Sequence, residues 1–428
     1  MEFNNTLELE HNLLPVVLQM ELFGVQIDEP ILKSLEQQLK LLRQNVYDNI
    51  SIYSNEININ SGEQLSKLLF EELQIEPQTN KKTKKGLYPV DKNHLESLKG
   101  KHQGKHQIVA EILKYRKIES LLKFCSKLNN INPITKRLHT NFNQNGTATG
   151  RFSSSKPNLQ NIPNPTIKED TTDELLILES QFRKLFIPAK GCCFIGADYS
   201  QIELRITAEY SQDPFLLKAY SQNNTDIHIL TASEIFKLPV SQVTDEQRKI
   251  AKSINFGLIY GKTEFGLAED LSRITDKPHT KEDALAIMTD YFNRFDKVKQ
   301  CLDGLISFAD KYGYSQTLWG RKRPIPELAS NELRIREKGK RLAMNSPIQG
   351  SAADIIKMAM IACKNAVKNK NLKSRLVLQV HDELLFEVPK NEVEIMKQLI
   401  REEMESVVSL SVPLKIDLKV GRNWREVH

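Results

Sequence analysis

The residues best suited to chemistry lie in "RLVLQVHDELLFEVP" (375–389), where two apolar runs, Leu376 to Val380 and Leu384 to Val388, flank His381, Asp382 and Glu383. That pattern predicts a β-hairpin, whose geometry brings both strand ends to the turn and mounts Asp382 and Glu383 on stiff backbone. Adjacent carboxylates buried without a cation are costly or become protonated. Positive charge is therefore expected nearby, although a solvated acidic turn is the simpler reading of the triplet by itself. Asp198 weighs against that reading. The run "CCFIGAD" predicts a buried strand ending at this second carboxylate, ahead of a helix that starts near Ser200. Mg²⁺ takes one or two carboxylates and completes its octahedron with water and phosphate oxygens, so two strand-end aspartates suit it. Two such ions about 3.5–4 Å apart serve in-line phosphoryl displacement.

A second constellation is "TDEQRKIAKSINFGLIYG" (244–261). Thr244 and Gln247 have capping-box spacing, so a helix is expected to start at 244. Arg248, Lys252, Phe256 and Tyr260 then recur every fourth residue and form one slanting stripe on its surface. An aromatic stripe alone reads as core packing, but Arg and Lys are rarely buried unpaired. Two cations leading into two aromatics fit a ligand with phosphates at one end and a flat or sugar-like body at the other.

Between 321 and 341 stand eight basic residues, Arg321, Lys322, Arg323, Arg334, Arg336, Lys338, Lys340 and Arg341, against three acidic ones. Such a cluster attracts polyanions, while a solvated helix face accounts for part of it. Arg151, Asn158, Gln160 and Asn161, with Asn345 and Gln349, add hydrogen-bond donors. The DNA minor groove offers acceptors at every base pair with little sequence information, so these donors suit a grip on any sequence.

The elements that must position these groups can be read coarsely. Helical periodicity covers 7–50 and 105–128, with Lys81, Lys82, Lys84 and Lys85 in a loop between them. Residues 141–165 are polar and aperiodic, hence loop; 214–312 are almost wholly helical; 317–326 are a turn-rich break; helix follows to about 368; and the chain closes with one or two strands from 412. Helices interrupting a strand-containing centre imply a mixed α+β fold with a sheet completed by distant segments. At 428 residues, 40% hydrophobic, a large core is within reach, and the net charge of +6 matters mainly where it is concentrated. Five cysteines without CxxC spacing read as buried thiols. With no bilayer-length apolar run and no secretion signal, a soluble, cytoplasmic protein that does not engage a membrane is expected.

"DYSQIELR" (198–205), "RKIAKSINFGLIYG" (248–261) and "QVHDELLFEV" (379–388) together resemble the three polymerase motifs of family A DNA polymerases. "TATGRFSSSKPNLQNIP" (147–163), "MNSPIQGSAADIIKMAM" (344–360) and the NW…H ending at Trp424 and His428 extend the resemblance, which starts at "LLPVVLQMELFGVQID" (13–28). It implies a right-hand polymerase fold with an antiparallel palm sheet, helical fingers and a helical thumb. The division would be thumb 1–115, palm 116–213, fingers 214–329 and palm again 330–428. It also implies template-directed addition of deoxynucleotides to a primer 3′ end with release of pyrophosphate, on primer-template DNA with dNTPs. By the same resemblance Asp198 and Asp382 would bind two Mg²⁺ ions, with the Tyr199 carbonyl assisting and Glu383 in support. Arg248, Lys252 and His228 would hold the triphosphate, Lys252 doubling as proton donor to pyrophosphate. Phe256 would pack on the incoming sugar, and Tyr260 would close on the nascent pair. Glu203 would block a ribose 2′-OH, although Ser200 and Glu203 also have capping-box spacing and a structural Glu203 stays open. Arg151, Asn158, Gln160, Arg341, Asn345, Gln349 and His381 would contact primer, template or their minor groove.

Two departures stand out. Where the family carries an arginine after "NIP", this chain has Asn164 and Pro165, and the stretch 166–186 lacks the usual short basic connection, with Arg183 a partial substitute. No exonuclease or 5′ nuclease segment precedes the thumb, so no proofreading in cis is expected, leaving room for a separate exonuclease or processivity partner. The rival readings are a catalytically weak nucleic-acid-binding relative and a single-subunit RNA polymerase. Intact Asp198, Asp382, Arg248 and Lys252 oppose the first; Glu203 and Phe256 oppose the second.

Overall fold

The computed structural model describes residues 6–54, 56–98, 107–167, 170–221 and 226–428. Its centre is a four-stranded antiparallel sheet of β1 (Cys192–Tyr199), β2 (Arg375–Val380), β3 (Glu383–Pro389) and β4 (Ile416–Gly421), in the order β4-β1-β3-β2. Apolar residues on both faces of β1 and β3 bury these two strands in the middle, as a covered sheet requires. Helix 393–405 packs on β1, β3 and β4, and the 37-residue helix α3 (Leu333–Asn369) packs on that helix and on β2. Tyr199, buried at the end of β1, donates its hydroxyl to the Met404 carbonyl at 2.7 Å and pins helix 393–405 to the sheet.

The expected hairpin is present, with β2 and β3 joined by the two residues His381 and Asp382. His381 sits at φ +56°, the left-handed conformation that tight hairpin turns demand. The helical lobe expected over 7–50 is two helices, α1 (Thr6–Phe23) and Glu29–Ser51, separated by the short strand Val25–Ile27. Gly24, at φ +64° and too close to the Leu138 carbonyl for a side chain, ends the first. A three-residue strand is too short to leave a period in the sequence, which is why the reading missed it. The second expected helix runs Gln107–Leu128; its expected start at 105 lies outside the described residues. Within 141–165, read as loop, Asn141–Asn143 and Ser153–Ser155 pair as a small ribbon.

Helices from Pro214 to Tyr312 form the lobe expected there, and the turn-rich break is the ribbon Tyr314–Gln316 with Lys322–Pro324. Within that lobe α2 (Asp245–Ile259) opens with the expected reciprocal box: the Thr244 hydroxyl accepts from the Gln247 amide and the Gln247 side chain accepts from the Thr244 amide. All five cysteines are free thiols, none more than partly exposed. Among the described residues no helix is long and apolar enough to cross a membrane.

Candidate active site

Registry brings the carboxylates together. Glu383 on β3 pairs with Asp198 on β1, Asp417 on β4 pairs with Asp198 from the other side, and the Asp382 carbonyl accepts from the Tyr199 amide at 3.2 Å. Directly paired residues of antiparallel strands share a face, so Asp198 is flanked by two acidic residues and capped by the hairpin turn. Burial first, then the charges of Asp382, Glu383 and Asp417, push the Asp198 carboxyl up to about 8. Asp382 is also raised, again chiefly by burial, with its backbone hydrogen bond, His381 and Arg151 pulling the other way. Oδ1 of Asp198 is buried and accepts no hydrogen bond.

Glu383 is differently placed. Its Oε1 accepts from the Trp424 indole at 2.9 Å, its Oε2 lies 2.9 Å from His428 Nδ1, and the Arg183 guanidinium stands 3.5 Å away. These contacts give the C-terminal Trp and His a physical role: they hold a buried carboxylate against the sheet. Arg183 is 5% exposed and lies 4.3 Å over the Trp424 ring, so its charge compensates Glu383 from inside the fold. Near Asn164 and Pro165 stands another cation, Arg425, whose Nη1 donates to the Asn164 side chain and, at 3.3 Å, to the Pro165 carbonyl. Arg425 went unnoticed in the sequence because it lies some 260 residues away.

The capping box anticipated at Ser200 does not form. Gln201 occupies the cap position at φ +54° without a side-chain cap bond, and the helix runs Ile202–Ser211. A capping residue needs extended backbone, and Ser200 lies one residue too early. Glu203 instead accepts a hydrogen bond from Arg151, while burial raises its carboxyl against that pull.

On α2, Lys252, Phe256 and Tyr260 line one groove of about 750 Å³ together with Arg341 on α3. Tyr260 falls just past the helix end, and its carbonyl accepts from Asn345 Nδ2 at 3.3 Å. Arg248 points to a neighbouring helix start, where its Nε donates to Asp226 Oδ2 at 2.7 Å. Although burial opposes it, that hydrogen bond leads the interactions that hold Asp226 below the usual carboxylate range. Asp226 caps helix Ile227–Phe236, a start that the aspartate ahead of "IHIL" signals in the sequence. His228, in the first turn of that helix, is 2% exposed; its Nδ1 is 3.1 Å from Asn255 Nδ2 and its ring 5.6 Å from that of Phe256.

At the hairpin, Gln160 Nε2 donates to the Gln379 carbonyl at 2.8 Å and Gln160 Oε1 accepts from the His381 amide at 3.4 Å. Arg151, Gln160, Gln379 and His381 thus border one small recess beside Asp382. Asn158 is exposed and accepts from the Gln160 amide at 2.9 Å; Asn161 is exposed and Gln349 half-buried. Of the basic cluster, Arg321 is not a free surface charge: it is mostly enclosed, paired with Glu10 and Asp354. That ion pairing, invisible in a local charge count, removes Arg321 from the charge the cluster can offer a polyanion.

The family model described as DNA polymerase family A matches residues 29–426. DNA polymerase I of Caldicellulosiruptor bescii is 44% identical over 424 residues, covering 98% of this chain and 47% of that protein. DNA polymerase I of Bacillus subtilis is 41% identical, covering 99% of this chain and 46% of its own length. The chain therefore spans about half the length of the curated relatives it matches. The POL domain of Pol1 from M. smegmatis, solved in complex with DNA primer-template and dNTP, superposes with a TM-score of 0.86 at 37% identity, covering 98% of this chain and 70% of that one. Its right-hand architecture is the one the antiparallel sheet and helical lobes form here. By sequence and by fold, the chain belongs to DNA polymerase family A.

Proposed function

We propose that this chain is a DNA-templated DNA polymerase that adds deoxynucleotides to a primer 3′ end, acting in the cytoplasm on primer-template DNA and dNTPs. The carrying observation is the juxtaposition of Asp198 and Asp382 at one end of the central strands, with Lys252, Phe256 and Tyr260 lining a groove on α2. In this reading 1–115 form the thumb, 116–213 and 330–428 the palm, and 214–329 the fingers.

The donor set fits Mg²⁺. Asp198 Oδ1 is buried without a partner, and its carboxyl is raised first by burial and then by neighbouring negative charge, which a divalent cation relieves. Among the described residues no cluster of three or more His, Cys, Asp or Glu is arranged as a metal cage. Mg²⁺ needs only one or two carboxylates from the protein and is completed by water and substrate phosphates. Asp198 and Asp382 would hold two such ions, with the Tyr199 carbonyl in reserve. When bound, they neutralise charge on the attacking and leaving oxygens.

The remaining work falls to the chain's own groups. Glu383, already satisfied by Trp424 and His428, supports the hairpin and leaves the ions to the aspartates. Lys252, exposed in the groove, would bind the triphosphate and protonate pyrophosphate as it leaves; Arg248 would reach the same phosphates by exchanging Asp226 for them. Buried His228 would orient Asn255 and Phe256 from behind that surface, adding to the phosphate site through its position. Phe256 would carry the sugar, and Tyr260 would close on the new pair. Glu203, held by Arg151, would exclude a 2′-OH. Gln160, His381 and Arg151 would meet the primer end, and Asn158, Asn161, Arg341, Asn345 and Gln349 the duplex.

Primer extension with Mg²⁺ tests the proposal. Wild type should extend with dNTPs in preference to ribonucleotides, and Asp382→Ala should lose about a thousandfold or more of kcat/KM. Extension by the Asp382→Ala protein at the wild-type rate would overturn it.

A further inference from the structure

Behind the substrate-facing surface lies a buried charge cluster that the proposed chemistry does not use. Arg321 donates from Nε to Asp354 Oδ1 at 2.8 Å and from Nη2 to Glu10 Oε1 at 2.5 Å. Lys357, with no exposed surface, donates to the same Glu10 oxygen at 2.5 Å and to the Gln144 carbonyl at 2.9 Å. The Thr317 hydroxyl completes the Asp354 carboxylate at 2.8 Å. Two cations and two anions, drawn from α1, the ribbon turn after Gln316 and α3, thus neutralise one another inside the protein. A cluster this buried contributes little net stability against an apolar replacement, and its use is more readily sought in what it fixes in place.

What it fixes is the segment carrying Arg151. Gly150, at φ +85°, lies flat on Arg321: a Cβ there would come within 2.6 Å of Nε and 2.7 Å of Cδ. On the other side of Arg151, the Phe152 ring faces Lys357 Nζ at 5.6 Å. Thr149 approaches α3 closely as well: a Cβ at Gly350 would come within 3.1 Å of its carbonyl, beside Thr317. Both neighbours of Arg151 therefore rest on the two cations of the cluster, and Arg151 projects from this seat to the Glu203 carboxylate.

We infer that Arg321 is a positioning residue for the Arg151–Glu203 pair, and through it for discrimination between deoxy- and ribonucleotides. The inference rests on the reading of Glu203 given above. A guanidinium spanning Asp354 and Glu10 has one orientation, and the flat stem it presents sets the height of Gly150. Arg321→Lys keeps the charge but cannot span both carboxylates, so the segment loses its floor. Arg151 would then hold Glu203 less well against the space where a 2′-OH would lie.

The test compares wild type, Arg321→Lys, Glu203→Ala and the double variant, measuring kcat/KM for matched dNTP and rNTP and the melting temperature of each. Arg321→Lys should lower the dNTP/rNTP ratio by between about tenfold and a hundredfold, the scale of a displacement near 1 Å. In the Glu203→Ala background the same change should have little further effect on the ratio, because both act through one carboxylate. An unchanged ratio in Arg321→Lys, or equal losses with and without Glu203, would overturn the inference and leave Arg321 as structural support. If Arg321→Lys does not fold, Gly150→Ala replaces it: its added methyl disturbs the same contact with all four charges intact, and the same two outcomes decide. Wild type that polymerises without preferring dNTPs overturns the inference as well, whereas wild type that does not polymerise overturns the proposed function instead.

Discussion

At His228 a single proton links helix Ile227–Phe236 and its neighbour α2 to the stability of the fold. Burial, reinforced by Lys252 and Arg248 and opposed by Asp226, lowers its imidazole to about 4. The unfolded chain carries the same group near 6.5. Between these values the unfolded state binds the extra proton, so stability rises with pH across the window and is lost as pH falls through it. The neutral ring also sets which partner it can take, since Nδ1 must accept if it bonds Asn255 Nδ2. His228→Gln keeps a polar group near Asn255 without a titrating nitrogen. Urea midpoints measured from pH 7 down to pH 4 should fall more steeply for wild type than for this variant. Parallel curves for the two proteins would show that His228 is not the group responsible.

At the level of elements, the short C-terminal helical turn Trp424–Val427 and strand β3 are joined through Glu383. Trp424 is fully buried, with its ring 5.3 Å from that of Phe186 and its N–H committed to the carboxylate. Trp424→Phe keeps much of the packing but leaves Glu383 with one donor fewer in a buried site, a loss worth about 1–3 kcal/mol. A lower denaturant midpoint is expected, with primer extension reduced far less than in Asp382→Ala, because the turn that carries Asp382 remains. Loss of activity equal to that of Asp382→Ala, at unchanged stability, would instead make Glu383 a direct participant. The two elements also show where sequence reading works. The hairpin around His381 and the box at Thr244 were legible because their signals are local: alternation on either side of a two-residue turn, and two capping residues three apart. The pairing of β1 with β3 is not legible in the sequence, since registry between strands so far apart in the chain leaves no periodic trace. The box at Ser200 failed because the spacing matched while the backbone at Gln201 did not. The partners of Glu383, Arg248 and Arg321 were unreadable for the first reason again, each being fixed by tertiary contact alone.

Across the whole molecule, charge is organised by what the fold does with each cation rather than by the net value of +6. Within 321–341, Arg321 is consumed by the internal cluster and the Arg323 guanidinium donates to Ser346 at 3.0 Å. Lys338 lies 3.4 Å from Glu327 and Lys340 lies 2.7 Å from Glu337. Arg334 and Arg336 are exposed at the start of α3, the helix that also carries Arg341, Asn345 and Gln349. Phosphate neutralisation releases condensed counterions, and each contact adds about 0.9 to the slope of log binding constant against log salt. If Arg334 and Arg336 meet the duplex backbone, Arg334→Ala with Arg336→Ala should flatten that slope by roughly 1.8 and weaken binding at every sequence alike. Lys338→Ala with Lys340→Ala removes the same formal charge from partners already beside glutamates and should change the slope less. Fluorescence anisotropy of a labelled primer-template over a salt series measures both. Equal flattening by the two pairs would show that the DNA responds to net charge alone; a larger effect of the arginine pair would place the duplex along the first turns of α3, in line with the groove formed by Lys252, Tyr260 and Arg341.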